Sequence, residues 1–76
     1  MVVGVTLINV EPGKEHAVYQ ALKNIKGIRE ILHLFGEYDF LAIIEVEGLK
    51  ALNNIVDQIR NIVGVTATRT MLAAEL

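Results

Sequence analysis

The 76 residues leave room for one domain, spanning residues 1–76, and 53% of them are hydrophobic. Seven Lys and Arg against nine Asp and Glu give a formal charge of -2, with the basic residues interleaved among acids along the whole chain. That pattern argues against direct nucleic-acid binding, which needs a clustered basic surface. The absence of cysteine excludes disulfides and thiolate metal sites.

The first strand is read from Val2 to Val10, rich in β-branched residues, and Glu11-Pro12-Gly13 stops it. A helix follows from about Lys14 to Lys26, with Val18, Leu22 and Ile25 on one face and Ala21 beside them. Gly27 suits the left-handed position just past a helix end. The second strand, about Ile28 to Phe35, and the third, about Tyr38 to Glu47, flank Gly36-Glu37, which predicts a tight antiparallel hairpin. A second helix, about Gly48 to Val63, carries Leu52, Ile55, Val56, Ile59 and Ile62 and ends at Gly64. The last strand runs from about Val65 to Ala74.

The two halves repeat at an offset of 37, read from Gly27 and Gly64. That shift lays Val18, Leu22 and Ile25 on Ile55, Ile59 and Ile62, and Val3, Val5 and Leu7 on Phe40, Ala42 and Ile44. The order βαββαβ is the ferredoxin-like split βαβ, an α+β fold with a four-stranded antiparallel sheet and two helices on one face. Phe40, Ala42, Ile44 and Val46 are assigned to the helix side of the third strand. The opposite, open face is assigned Leu41 and Ile43, and Val2, Gly4, Thr6, Ile8 and Val10 of the first strand. A bulge in an outer strand would exchange its two rows. So small a core is marginal alone, burying about 60–65% of the unfolded surface, so the apolar open face predicts a dimer packed sheet to sheet.

Signals for catalysis are thin. The chain has no serine, no glycine-rich phosphate loop, and no acid at metal-ligand spacing from His16 or His33. His16 reads as a surface residue and His33 as a packing or interface residue; neither a metal nor a cofactor is implied. No signal peptide and no apolar run of the roughly 20 residues that span a bilayer is present. The expectation is a cytoplasmic protein with no membrane contact.

The hairpin Gly36-Glu37-Tyr38-Asp39-Phe40 carries more information. Glycine permits positive φ, successive amides can face a carboxylate, and Asp39 suits an ammonium group, so a zwitterionic amino acid fits. An ordinary turn in which Asp39 accepts backbone donors is the alternative. This segment resembles the G-x-Y-D-[FY] hairpin of the amino-acid-sensing (RAM) domain of Lrp/AsnC regulators. Val10-Glu11-Pro12-Gly13, Gly27-Ile28, Ile62-Val63-Gly64-Val65 and Thr68-x-Thr70 extend the similarity over essentially the whole chain.

The resemblance implies a transcription-regulatory domain that forms homodimers by sheet-to-sheet packing, as in dimeric α/β-barrels. The dimers assemble into octameric or similar rings, with a small effector, usually an amino acid, bound between dimers. Carried over, it implicates Gly36, Tyr38 and Asp39 as effector contacts, with Thr68 and Thr70 as further positions. With the first strand beginning at Val2, the helix-turn-helix domain of such regulators is expected to be absent here. Regulation through a full-length relative is therefore implied. A cofactor-free enzyme of the dimeric α/β-barrel type, and a ligand-free assembly partner, are the competing readings.

Overall fold

The computed structural model describes residues 1–73. Its elements run β1 (Val2–Val10), α1 (Glu15–Lys23), β2 (Ile28–His33), β3 (Phe40–Val46), α2 (Leu49–Arg60) and β4 (Val65–Leu72). The strands form one antiparallel-paired sheet in the order β2-β3-β1-β4, so each helical crossover passes over one intervening strand. This is the expected ferredoxin-like βαββαβ arrangement. Ala74, the expected end of the last strand, lies outside the described residues. No described helix is long and apolar enough to cross a membrane.

Both helices cover the same face. Val18 and Leu22 of α1 and Leu52, Ile55 and Ile59 of α2 are buried against Ile8, Phe40, Ala42 and Ile44 of the central strands. The expected helix-side row of β3 is therefore present. The row assignment on β1 is corrected: Gly4, Thr6, Ile8 and Val10 are buried toward the helices, and Val3, Val5, Leu7 and Asn9 occupy the open face. The register gives the reason. Gly4 pairs with Ile44, Thr6 with Ala42 and Ile8 with Phe40, and directly paired residues share a face. β1 and β3 are therefore one residue out of step with 37, whereas the helices, their glycines and the pair β2 and β4 keep it; a one-residue slip turns every side chain over.

Gly4 explains why small residues hold this inner row. A Cβ there would stand 2.7 Å from Leu52 Cδ1, so glycine lets α2 seat closely on β1. Thr6 is fully buried, and its Oγ1 lies 2.9 Å from Thr70 Oγ1, which satisfies the hydroxyl inside the core. Outer-strand irregularities are real: the β1–β4 register shifts at Asn9/Val10 and the β2–β3 register at Ile28/Glu30. Arg29, at the second of these, bonds Glu45 Oε2 at 2.7 Å.

The helices end earlier than expected, at caps Asn24 and Asn61. Tight bonds from Ile25 N to Leu22 O and from Ile62 N to Ile59 O then close one more short turn. Gly27 (φ +101°) and Gly64 (φ +105°) do take left-handed conformations, but three residues past the cap, where the chain enters the next strand. Each packs on the other half's helix. A Cβ on Gly27 would collide with Ile55 of α2, and one on Gly64 would lie 2.9 Å from Lys14 Cβ and 3.1 Å from Val18 Cγ2 at α1.

Candidate functional site at the β2–β3 hairpin

β2 ends at His33 and β3 begins at Phe40, so the connection is the longer loop 34–39 rather than a tight turn at Gly36-Glu37. Asp39 is the cause. Its amide donates to Ile8 O (2.9 Å) and its Oδ2 accepts the Val10 amide (2.8 Å), which ties the loop to the end of β1. The Asp39 carbonyl in turn accepts the Leu34 amide at 2.8 Å and closes the loop's base. The bond to Val10 falls beyond the last β1–β3 pair, Ile8 with Phe40, and supplies a partner where the ladder has run out.

Gly36 has φ +141°, and nothing lies within 4 Å of where its Cβ would be. Its role is therefore conformational, with no close packing to protect. Among the described residues, the amides of Gly36, Glu37 and Tyr38 make no backbone hydrogen bond within the chain. One carboxylate oxygen of Asp39 is engaged, and these amides are near it in sequence on a loop whose two ends are fixed.

The two threonines sit elsewhere relative to this loop. Thr68 pairs with Ile8 on the β4 side of β1, while Asp39 bonds Ile8 from the β3 side. Thr68 and Asp39 thus flank the same stretch of β1. Thr70 pairs with Thr6 two residues farther along the sheet, and its hydroxyl is engaged there. Gly36, Tyr38 and Asp39 share the loop 34–39, Thr68 lies level with Asp39 along β1, and Thr70 is two residues farther away.

A second concavity was not foreseen. A groove of about 370 Å³ between α1 and β2 is lined by Glu15, His16, Tyr19, Ile31, His33 and Phe40. Its rings form a ladder: Tyr19 and Phe40 stack at 6.0 Å, and His33 and Phe40 at 4.9 Å. His16 is exposed, as expected, and His33 is an exposed edge-strand residue stacked on the core. The repeat held the signal for this groove. At the offset that holds for the helices, Glu15, His16 and Tyr19 stand where α2 has Leu52, Asn53 and Val56. No cluster of three or more His, Cys, Asp or Glu that could hold a metal occurs among the described residues.

Sheet order, register and the glycine-tyrosine-aspartate hairpin place the chain in the ferredoxin-like class of small α+β domains. The family model for the Lrp/AsnC ligand binding domain matches residues 1–75, and the chain belongs to that family. It is 33% identical over 70 residues to the HTH-type transcriptional regulator FL11 of Pyrococcus furiosus, covering 92% of this chain and 46% of that protein. It is 38% identical over 56 residues to a homocitrate synthase of Sulfurisphaera tokodaii, covering 74% of this chain but only 12% of the enzyme. The chain thus spans less than half of either curated relative. The solved structure of FFRP-DM1 superposes with a TM-score of 0.90 at 32% identity, covering 97% of this chain and all of that one.

Proposed function

We propose that the chain is an amino-acid-sensing module that assembles with copies of itself and acts on transcription through a protein partner. The observation that carries this reading is the anchoring of Asp39. Its amide and Oδ2 are committed to Ile8 and Val10, which holds the carboxylate in one place on the loop that also carries the amides of Gly36, Glu37 and Tyr38. An effector's ammonium group meets Asp39, its carboxylate meets those amides, and Tyr38 offers a ring to its side chain. Thr68 lies at the same end of the sheet as a further contact, whereas Thr70 contributes by holding Thr6.

Assembly is supported by the open face of the sheet. Val3, Val5, Leu7, Leu41 and Ile43 are half-buried there, with Leu32 at 44% and Met71 at 45% exposure beside them. Packing two such faces covers this apolar surface, gives a homodimer of the α/β-barrel kind, and leaves the hairpins at the rim for contact between dimers in an octameric or similar ring. The likeness to both an HTH-type regulator and a small part of a biosynthetic enzyme fits a module that senses rather than one that catalyses. FFRP-DM1 is matched over its whole length, so a chain of this extent folds as a unit of its own; the protein partner of the proposal is a full-length relative in mixed assembly.

The enzyme reading needs a polar cavity inside the monomer. The groove beside His33 lies at the sheet's edge, and the space between sheet and helices is filled by Ile8, Phe40, Ala42 and Ile44.

A thermal-shift panel of the twenty amino acids, followed by calorimetry on the responders, tests the proposal. A specific responder is expected, since ligand at about 100 times its Kd adds about 2.7 kcal/mol of stability. No response to any amino acid at millimolar concentration would overturn the sensing role.

A further inference from the structure

Two features that the effector contacts do not use adjoin each other. One is the aromatic groove between α1 and β2; the other is Phe35, which is 96% exposed. The Phe35 ring stands 5.5 Å from that of His33, which lines the groove. An apolar knob therefore sits at the rim of an apolar hollow in the same subunit.

The hollow belongs to the first half of the molecule alone. In the second half Leu52 takes the position of Glu15 and is buried against Gly4 and the core. In the first half the same position carries a carboxylate whose Oε1 accepts the Gly13 amide, at 2.9 Å, instead of filling the space. Ile31, Tyr19 and Phe40 are left to line a groove that no side chain of their own subunit fills.

We propose that this groove receives Phe35 of a second copy of the chain, in a reciprocal exchange about a two-fold axis. The knob's chemistry matches the hollow's walls, since rings offset or tilted against rings pack favourably. Adjacency selects the symmetry. When knob and hollow lie side by side, one two-fold rotation seats both knobs at once, giving a self-complementary contact. The contact uses the helix-side edge of the sheet and leaves the open face free. Each subunit then has two different two-fold interfaces, the arrangement that joins dimers into larger assemblies. This deepens the assembly part of the function proposed above, and it places Phe35 directly beside Gly36, so an effector at the hairpin borders the contact.

Sedimentation velocity on the full chain tests it, comparing wild type, Phe35→Ala and His33→Glu, each checked for folding by circular dichroism. The wild type is expected to form species larger than a dimer. Each variant is expected to lose them, one lacking the knob and the other carrying a charge in the hollow. An equal mixture of the two variants regains part of the larger species, because the intact groove of one accepts the intact Phe35 of the other. If the sheet-to-sheet pairing alone is wrong, Phe35→Ala converts dimers to monomers, which still supports the exchange. A Phe35→Ala protein that sediments like wild type overturns it. So does a wild type indifferent to concentration whose Tyr19 and His33 resonances shift on adding indole, which would make the groove a small-molecule site.

Discussion

Asp39 and Val10 are 29 residues apart, and a 2.8 Å hydrogen bond from the Val10 amide to Asp39 Oδ2 joins the β2–β3 loop to the end of β1. The bond has two consequences. It satisfies a part-buried backbone donor beyond the last rung of the β1–β3 ladder, and it fixes the carboxylate that the sensing proposal depends on. Structure and function therefore share one side chain, and the two roles are separable by substitution.

Asp39→Ala leaves the Val10 amide without its partner, an outcome that costs about 1–3 kcal/mol for a buried donor. In a domain this small that lowers Tm by roughly 4–8 °C per kcal/mol. Asp39→Asn keeps an oxygen to accept the Val10 amide but removes the negative charge. Its expected melting temperature is close to that of wild type, while its stabilisation by an amino acid is lost. Differential scanning calorimetry with and without the responding amino acid reads both effects. An Asp39→Asn protein that still responds fully would remove Asp39 from the ammonium site.

The order of elements was legible because apolar spacing and the Gly27/Gly64 repeat are local signals. The inner and outer rows of β1 were not, and the reason is physical. Val3, Val5 and Leu7 look more like core than Gly4 and Thr6 do, yet the open face is apolar as well, so hydrophobicity alone does not distinguish the faces. Pairing of β1 with β3 decides it, and pairing is a property of two distant segments. The length of the loop 34–39 is hidden for a similar reason: two of the bonds that hold Asp39 come from the distant Ile8 and Val10. The hairpin residues of the candidate site were visible as a motif, whereas the groove required α1 and β2 to be placed side by side.

Glycine positions are expected to separate by cause. Gly27→Ala places a side chain at φ +101° and against Ile55, and Gly64→Ala places one at φ +105° against Lys14 and Val18. Strained backbone of this kind costs about 1–3 kcal/mol before any clash is added. Gly36→Ala meets no atom within 4 Å, so it incurs backbone strain only. The expected order of urea midpoints is wild type, then Gly36→Ala, then the other two. A Gly27→Ala protein as stable as Gly36→Ala would show that α2 yields freely at this contact.

The bond between the fully buried Thr6 hydroxyl and the hydroxyl of the exposed Thr70 predicts a non-additive cycle. Thr70→Val leaves the fully buried Thr6 hydroxyl unpaired, at a cost of about 1–3 kcal/mol. Replacing both residues by valine removes the polar groups together, and such paired replacements can be nearly neutral. Denaturant unfolding of wild type, both single variants and the double variant should therefore return a coupling of about 1 kcal/mol or more between the sites. Additive losses would mean that the Thr6 hydroxyl finds another partner.

Leu41 and Leu7 are direct partners at the centre of the open face, both half-buried in the isolated chain. Leu41→Glu therefore leaves the helix-side core untouched while placing a charge where two sheets are proposed to meet. In the subunit alone the new carboxylate stays solvated, and the change in stability should be small. In a sheet-to-sheet dimer it is buried without a partner, and effective penalties for such an ion are several kcal/mol. A loss of that size weakens association by more than a hundredfold, since each 1.4 kcal/mol is about tenfold. Light scattering across a dilution series should find wild-type subunits paired and Leu41→Glu subunits shifted toward monomer. If Leu41→Glu pairs as tightly as wild type, the apolar open face is not the dimer interface, and some other surface must supply the stability that so small a core lacks.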